Sequence, residues 1–375
     1  MSENKNNFSS SLVILLALMV FFGLTKAWKY EPTWGGVDYY QFWAVGQAVK
    51  NFDTYNIYSK TEQISIGNEF FQQARDNGNS QRLIKATKIR KVLETYSTPF
   101  LYAVFHIFVS GNYDFDIQLF HFFSLACILL ALIYLSRLLN YPAVGVMAII
   151  IITIEWFGPF WSDVRVANVN RLQLGILALF LWFQSMHALR SRHFIGGLIL
   201  GAAVMFKPNL IFVPIVLFIS WFINQKYKKL LFGCLGIFAG VIFAVTYSSI
   251  FFGSIKCWWQ WLDLMLHIPY DTIQVKMGNF APVRLIWDWT GIKVSTPLIP
   301  ILLGLVTLFL WITHKNIKKN VEKCENDYDR ELLGDTLMIA IGCLIYLLVA
   351  PLVWLHYFLL AIPMVLIAMR PLKGK

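Results

Sequence analysis

Asp38 stands in "WGGVDYYQFW", residues 34 to 43, among aromatics and glycines a few residues after the first long apolar run. A carboxylate, a lysine and a histidine are the groups from which proton transfer and anion binding are built. The chain offers the other two at Lys207 in "FKPN" (206–209) and His356 in "PLVWLHY" (351–357). Asn168 and Asn170, with Arg165 beside them, fall in "WSDVRVANVNR" (161–171), and Asn279 and Arg284 in "MGNFAPVRLIW" (277–287).

Each of these has an ordinary structural reading. Asp38 could be a surface acid or the N-cap of the helix "YYQFWAVGQAVKNF". Lys207, ending an apolar run, could extend its ammonium to the membrane interface. His356 could belong to an aromatic belt with Trp354 and Tyr357, and the asparagines could cap helices or form turns. "DFD" at 114–116 has the form of a metal-holding carboxylate pair, but two acids opening a helix are favoured by its dipole, and we read them as capping.

The elements that must position these residues are apolar. The chain has 375 residues, 57% of them hydrophobic and 16% aromatic, with a mean hydropathy of +0.58, above the composition of a soluble domain. About twenty apolar residues cross a bilayer as a helix. That measure predicts an all-α polytopic membrane protein, a single domain over 1–375, with about ten transmembrane helices. They fall near 9–27, 115–138, 141–158, 171–189, 193–207, 208–224, 229–252, 296–313, 335–350 and 353–369. The N-terminal run is read as a retained helix because no small-residue cleavage site follows it. "STPFLYAVFHIFVSG" (97–111) is too short to cross and is read as an interfacial or re-entrant helix within a long first loop, 28–114. A second large loop covers 253–295, and a mixed-charge loop covers 314–334.

The net charge of +11 could suggest nucleic acid, but in a polytopic protein basic residues commonly hold cytoplasmic loops. Arg137, Arg190, Arg192, Lys226, Lys228, Lys229 and the lysines of 314–334 all fall on one side if the N-terminus is inside. This gives both termini inside and places every polar island named above on the outer face. The five cysteines form no CxxC pair. The chain also lacks GxxxxGK[ST], HExxH, GxSxG and GxGxxG.

Taken in order, these stretches resemble glycosyltransferase family 87, the polytopic GT-C mannosyltransferases that use polyprenyl-phosphate sugars. The resemblance rests on "VDYYQFWAVGQAVKNFDTYNIYSK" (37–60), "YSTPFLYAVFHIF" (96–108), "RVANVNRLQLGILAL" (165–179), "GGLILGAAVMFKPNLIFVPI" (196–215), "GNFAPVRLIW" (278–287) and "APLVWLHYFLLAIP" (350–363). Asn168 stands where the family usually has Gln, Ala167 where it has Gly, Thr98 where it has Pro, and Phe280-Ala281 where it has "QS".

The resemblance implies a GT-C-like fold and an inverting transfer of a sugar, a mannose-like hexose or a pentose. The donor is a polyprenyl phosphate and the acceptor a glycolipid or glycan, on the outer face of a bacterial cytoplasmic (inner) membrane. Such a transfer needs one general base and a cation at the departing phosphate. Asp38 is expected as the base, with Lys207 at the phosphate, helped by Arg165 or Arg284. His356 would bond the phosphate or relay a proton. Tyr39, Tyr40, Asn168, Asn170, Asn279 and Trp354 would contact sugar or acceptor. No metal or other cofactor is expected, and the aromatic stretch 257–270 would dip into the outer interface over the lipid path. The alternative is a transporter or flippase of a lipid-linked sugar, which would show polar residues on both faces and broken helices at the midplane.

Overall fold

In a bilayer every backbone N–H and C=O must find an internal partner, and helices achieve this locally. The computed structural model describes residues 10–30, 35–51, 56–76, 80–186, 188–267, 278–291 and 327–370, and all of its regular structure is helical. In chain order the elements are α1 Ser10–Trp28, α2 Val37–Asn51, α3 Lys60–Asp76, α4 Gln81–Ile89, α5 Pro99–His106, α6 Tyr113–Leu138, α7 Ala143–Glu155 and α8 Gly158–Val166. They continue with α9 Asn170–Ser185, α10 Arg192–Phe206, α11 Phe212–Ile223, α12 Tyr227–Phe251 and α13 Lys256–Leu266. Three more helices follow: Pro282–Thr290, Asp327–Val349 and Ile362–Ala368.

Among the described residues, four helices are long and apolar enough to cross a membrane: α1, α6, α12 and Arg330–Val349 within the penultimate helix. A fifth arises if α7 and α8, bent by 56° at their junction, form one span. The other expected spans that are described are shorter helices, and 296–313 lies outside the described residues. Large apolar side chains on the outward faces of the long helices, such as Phe21 and Phe22 of α1 and Phe238 of α12, are more than half exposed, as lipid-facing surfaces are.

The break expected at Pro208 is present. A residue before proline is disfavoured in the helical region, and Lys207 is extended (φ −151°, ψ 111°) between α10 and a 3-10 turn, Pro208–Leu210. The segment read as interfacial, α5, is only eight residues long and starts at Pro99 with the Thr98 hydroxyl capping Leu101 N at 3.2 Å. Pro99, Phe100, Leu101, Tyr102, Ala103 and Phe105 are buried, so protein packing rather than lipid covers it.

Glycine sets how closely α10 and α12 approach. A Cβ at Gly197, Gly201, Gly236 or Gly240 would run into the Gly233, Ile237, Phe194 or Leu198 carbonyl oxygen, respectively. The pairs Gly197/Gly201 and Gly236/Gly240 are each four apart, the small-residue spacing by which helices in lipid bring their backbones together. This contact fixes the end of α10 at which Lys207 sits.

Side-chain bonds join helix ends at two poles. At one pole Thr98 Oγ1 donates to Phe206 O (3.1 Å), and Lys26 pairs with Glu155 (3.1 Å). At the other, Lys229 Nζ bonds Asp335 (2.6 Å) and Glu331 (2.7 Å), Trp221 Nε1 donates to Asp335 (2.8 Å), and Tyr141 Oη donates to Leu366 O (2.8 Å). Lys229, read from sequence as an open basic turn, is therefore buried and paired.

Gly236→Leu should abolish the monodisperse folded protein in detergent, because backbone cannot yield to the new side chain. Gly334→Ala, whose Cβ meets nothing within 4 Å in a helix, should keep or slightly raise the melting temperature, since Gly costs a helix roughly 0.5–1 kcal/mol relative to Ala. Equal melting of both variants would refute the close-packed interface.

Candidate functional site

Gly35 and Gly36 have φ of 69° and 74°, a region open to glycine but costly for other residues. A Cβ at Gly36 would strike Ile117, and one at Gly35 the Arg82 carbonyl. This turn delivers the chain into α2 with Asp38 in the first helical turn rather than at the cap, where the positive end of the helix dipole faces its carboxylate.

The partner of Asp38 comes from the break between α8 and α9. Ala167 ends α8 in the left-handed region (φ 56°, ψ 52°), and Asn168 N donates back to Asp163 O at 3.2 Å. Asn168 then becomes a hub. Its Nδ2 donates to Asp38 Oδ2 (2.6 Å), and its Oδ1 accepts from Lys207 Nζ (2.7 Å), Val169 N (2.7 Å) and Asn170 Nδ2 (3.3 Å). Lys207 Nζ also donates to Asn170 Oδ1 (3.2 Å) and lies 4.5 Å from the ring centre of Tyr357. One amide thus joins an acid and an ammonium that are 169 positions apart.

Behind this junction lies a buried ion pair. Asp163 and Arg171 have fully buried side chains and bond through Arg171 Nε to Asp163 Oδ2 at 2.6 Å. Asn170 Nδ2 donates to the other carboxylate oxygen (3.0 Å), and Arg171 Nη2 faces His121 Nδ1 (3.5 Å). Gln173 and Asn209 add a reciprocal amide pair that ties α9 to the turn after Lys207.

The remaining expected residues divide. His356 is 5% exposed, on a 3-10 turn Leu355–Ala361; its ring lies 4.9 Å from that of Tyr357, and its Nε2 has no hydrogen-bond partner among the described residues. Trp354 is half-buried and forms an isolated backbone bridge with Asn279. Asn279 is a pin between loops: its amide donates to Pro351 O (3.0 Å) and accepts from Val353 N (2.9 Å) and Ala281 N (3.0 Å). Arg284 pairs with Asp288 (2.8 Å) and stacks on Trp287, and Arg165 is exposed on α8. Neither bonds to the Asp38 junction.

Tyr39 and Tyr40 have no exposed surface and pack among Phe105, Tyr113, Phe120 and Trp43. Burial pushes both phenols well above their usual range, with the Asp116 charge adding to the effect at Tyr39. They are neutral core residues beneath Asp38. The "DFD" acids also separate: Asp114 faces Arg82 (3.5 Å), whereas buried Asp116 accepts from Ser110 N, Ser110 Oγ and Trp43 Nε1. The cap itself is Asn112, whose Oδ1 accepts from Phe115 N at 3.2 Å.

Sequence reading missed Arg90, Asp163, Arg171 and Tyr357. Nothing in "WSDVRVANVNR" shows that a left-handed turn folds Arg171 back on Asp163.

The family model of glycosyltransferase family 87 matches residues 95–322, more than half of the chain. The matched stretch contains Asn168 and Lys207 and leaves Asp38 and His356 outside. No curated protein and no solved structure matches the chain.

Arg171→Met should lower stability by about 3–5 kcal/mol, because it strands the Asp163 carboxylate in a buried site. Asp163→Leu combined with Arg171→Met should recover much of that loss in thermal melts. A double variant no more stable than Arg171→Met would contradict a paired, buried origin of the cost.

Proposed function

The chain belongs to glycosyltransferase family 87, and we propose that it carries out an inverting transfer of a sugar from a polyprenyl-phosphate donor to a glycolipid or glycan acceptor. The observation that carries this reading is the Asn168 bridge, which holds a carboxylate and an ammonium at one pole of a membrane-helix bundle. Several apolar helices of spanning character make the chain a multi-pass membrane protein.

In the proposed reaction Asp38 accepts the proton of the acceptor hydroxyl as its oxygen attacks the anomeric carbon. The bond from that carbon to the phosphate oxygen breaks, and the electron pair leaves on the phosphate. Lys207, half-buried among amides and an aromatic face, neutralises the developing charge as a compact cation. One displacement inverts the centre and needs only one carboxylate. The unpartnered Nε2 of buried His356 leaves that imidazole free to bond a phosphate oxygen or a sugar hydroxyl. Half-buried Trp354 offers a surface on which a sugar ring could stack. Arg284, engaged by Asp288, and exposed Arg165 are the weaker candidates for the phosphate.

We place this pole on the outer face of a cytoplasmic membrane, with both termini inside and a GT-C-like arrangement of about ten spans. The basic-residue distribution supports the orientation.

Asp38→Asn should reduce kcat by about 10²–10⁴-fold, the usual worth of a positioned base, with the donor KM little changed. The assay is transfer of radiolabel from a polyprenyl-phosphate sugar in membranes, with expression matched to wild type. Undiminished turnover in the variant would overturn the base assignment.

A further inference from the structure

Arg90 is the unassigned cation of this pole. It follows α4 as its C-cap (φ −107°, ψ 45°), its backbone N–H donating to Ala86 O at 3.0 Å. Its guanidinium meets three acceptors. Nη1 pairs closely with Glu94, and Nη2 lies 3.5 Å from Asp38 Oδ1. With the Gln41 carbonyl turned towards it, Nε and Nη2 donate to that oxygen at 2.9 and 3.0 Å.

Resting on the transferase reading above, we propose that Arg90 is a second ligand of the donor phosphate, held on Asp38 until the donor arrives. Its binding would free the carboxylate to act as base.

Three observations support this. First, access: the side chains of Arg90 and Asp38 are 21% and 19% exposed, whereas Asn168, Asn170, Asp163, Arg171 and His356 are buried. The Arg90–Asp38 pair, with half-buried Lys207 beside it, is therefore where the network opens, and an entering ligand can meet both cations.

Second, strength: Asn168 holds one Asp38 oxygen at 2.6 Å, but Arg90 stands 3.5 Å from the other. Beyond about 3.2 Å the contact is an ion pair more than a directed hydrogen bond. The other carboxylate on Arg90, Glu94, has a side chain 45% exposed, and solvent-screened pairs of this kind are weak. Both carboxylates can thus give way to a ligand carrying more charge.

Third, shape: guanidinium presents forked donors that match two phosphate oxygens, whereas ammonium is a point charge. Arg90 and Lys207 bracket the Asp38–Asn168 pair, each holding one of its two members. A phosphate between them would meet both kinds of cation. Donor binding would then precede productive acceptor binding, since only the donor releases Asp38.

Two variants and a binding measurement test this. Arg90→Gln should raise the donor KM at least tenfold while leaving the acceptor KM within about twofold, and Arg90→Lys should restore part of the donor affinity. Glu94→Gln, which removes a competing carboxylate, should lower the donor KM; a purely structural Arg90 would gain nothing from it. In detergent without acceptor, Arg90→Gln should bind radiolabelled polyprenyl-phosphate sugar at least tenfold more weakly than wild type. Wild-type transfer with unchanged donor binding and KM in Arg90→Gln, or a donor KM raised by Glu94→Gln, would overturn the role of Arg90. Absence of transfer by wild type would instead count against the transferase reading.

Discussion

Two opposite charges without any exposed surface, Asp163 and Arg171, set the terms for this pole of the molecule. Burying ions is costly, and mutual attraction offsets the cost best when further hydrogen bonds share it. Asn170 satisfies the second Asp163 oxygen, whereas Arg171 Nη1 has no hydrogen-bond partner among the described residues. The Asn170 carbonyl then faces Lys207, the same ammonium reaches Asn168, and Asn168 reaches Asp38. A hydrogen-bonded junction that spans α2, the α8–α9 turn and the end of α10 is thus continuous with one desolvated pair.

The backbone supplies what that network needs. Two glycines turn the chain into α2, a left-handed Ala167 presents Asn168, and Pro208 keeps Lys207 out of the helix. Glycine contacts let α10, which ends at Lys207, lie close against α12. The opposite pole has its own buried pair, Lys229 with Asp335, joined by half-buried Glu331, with Trp221 closing over the lysine. There one cation bonds two acids of the penultimate helix, one of which also accepts from Trp221 of α11, an arrangement suited to holding helices together.

Much of the architecture is legible in the sequence because it follows from hydropathy, length and proline. The break at Pro208, the failure of 97–111 to span and the apolar first helix need no knowledge of partners. The family is legible from the order of short motifs. What is not legible depends on contacts between distant segments: Asn168 is one of several asparagines until the fold places it between Asp38 and Lys207. The same holds for Tyr39 and Tyr40, whose place beside Asp38 in sequence suggests a sugar contact but whose helix is enclosed on all sides from Tyr39 to Ala48. Lys229 counted as a basic turn because its acids lie about a hundred residues away and the helix bearing them begins earlier than hydropathy alone indicates.

We propose that the Asn168-bridged pole binds the donor phosphate. A structure with a non-transferable polyprenyl-phosphate sugar analogue bound tests it most directly. The phosphate is expected within hydrogen-bonding distance of Lys207, with the anomeric carbon facing Asp38. A phosphate seated at the Lys229–Asp335 pole, or away from Lys207 altogether, would contradict it.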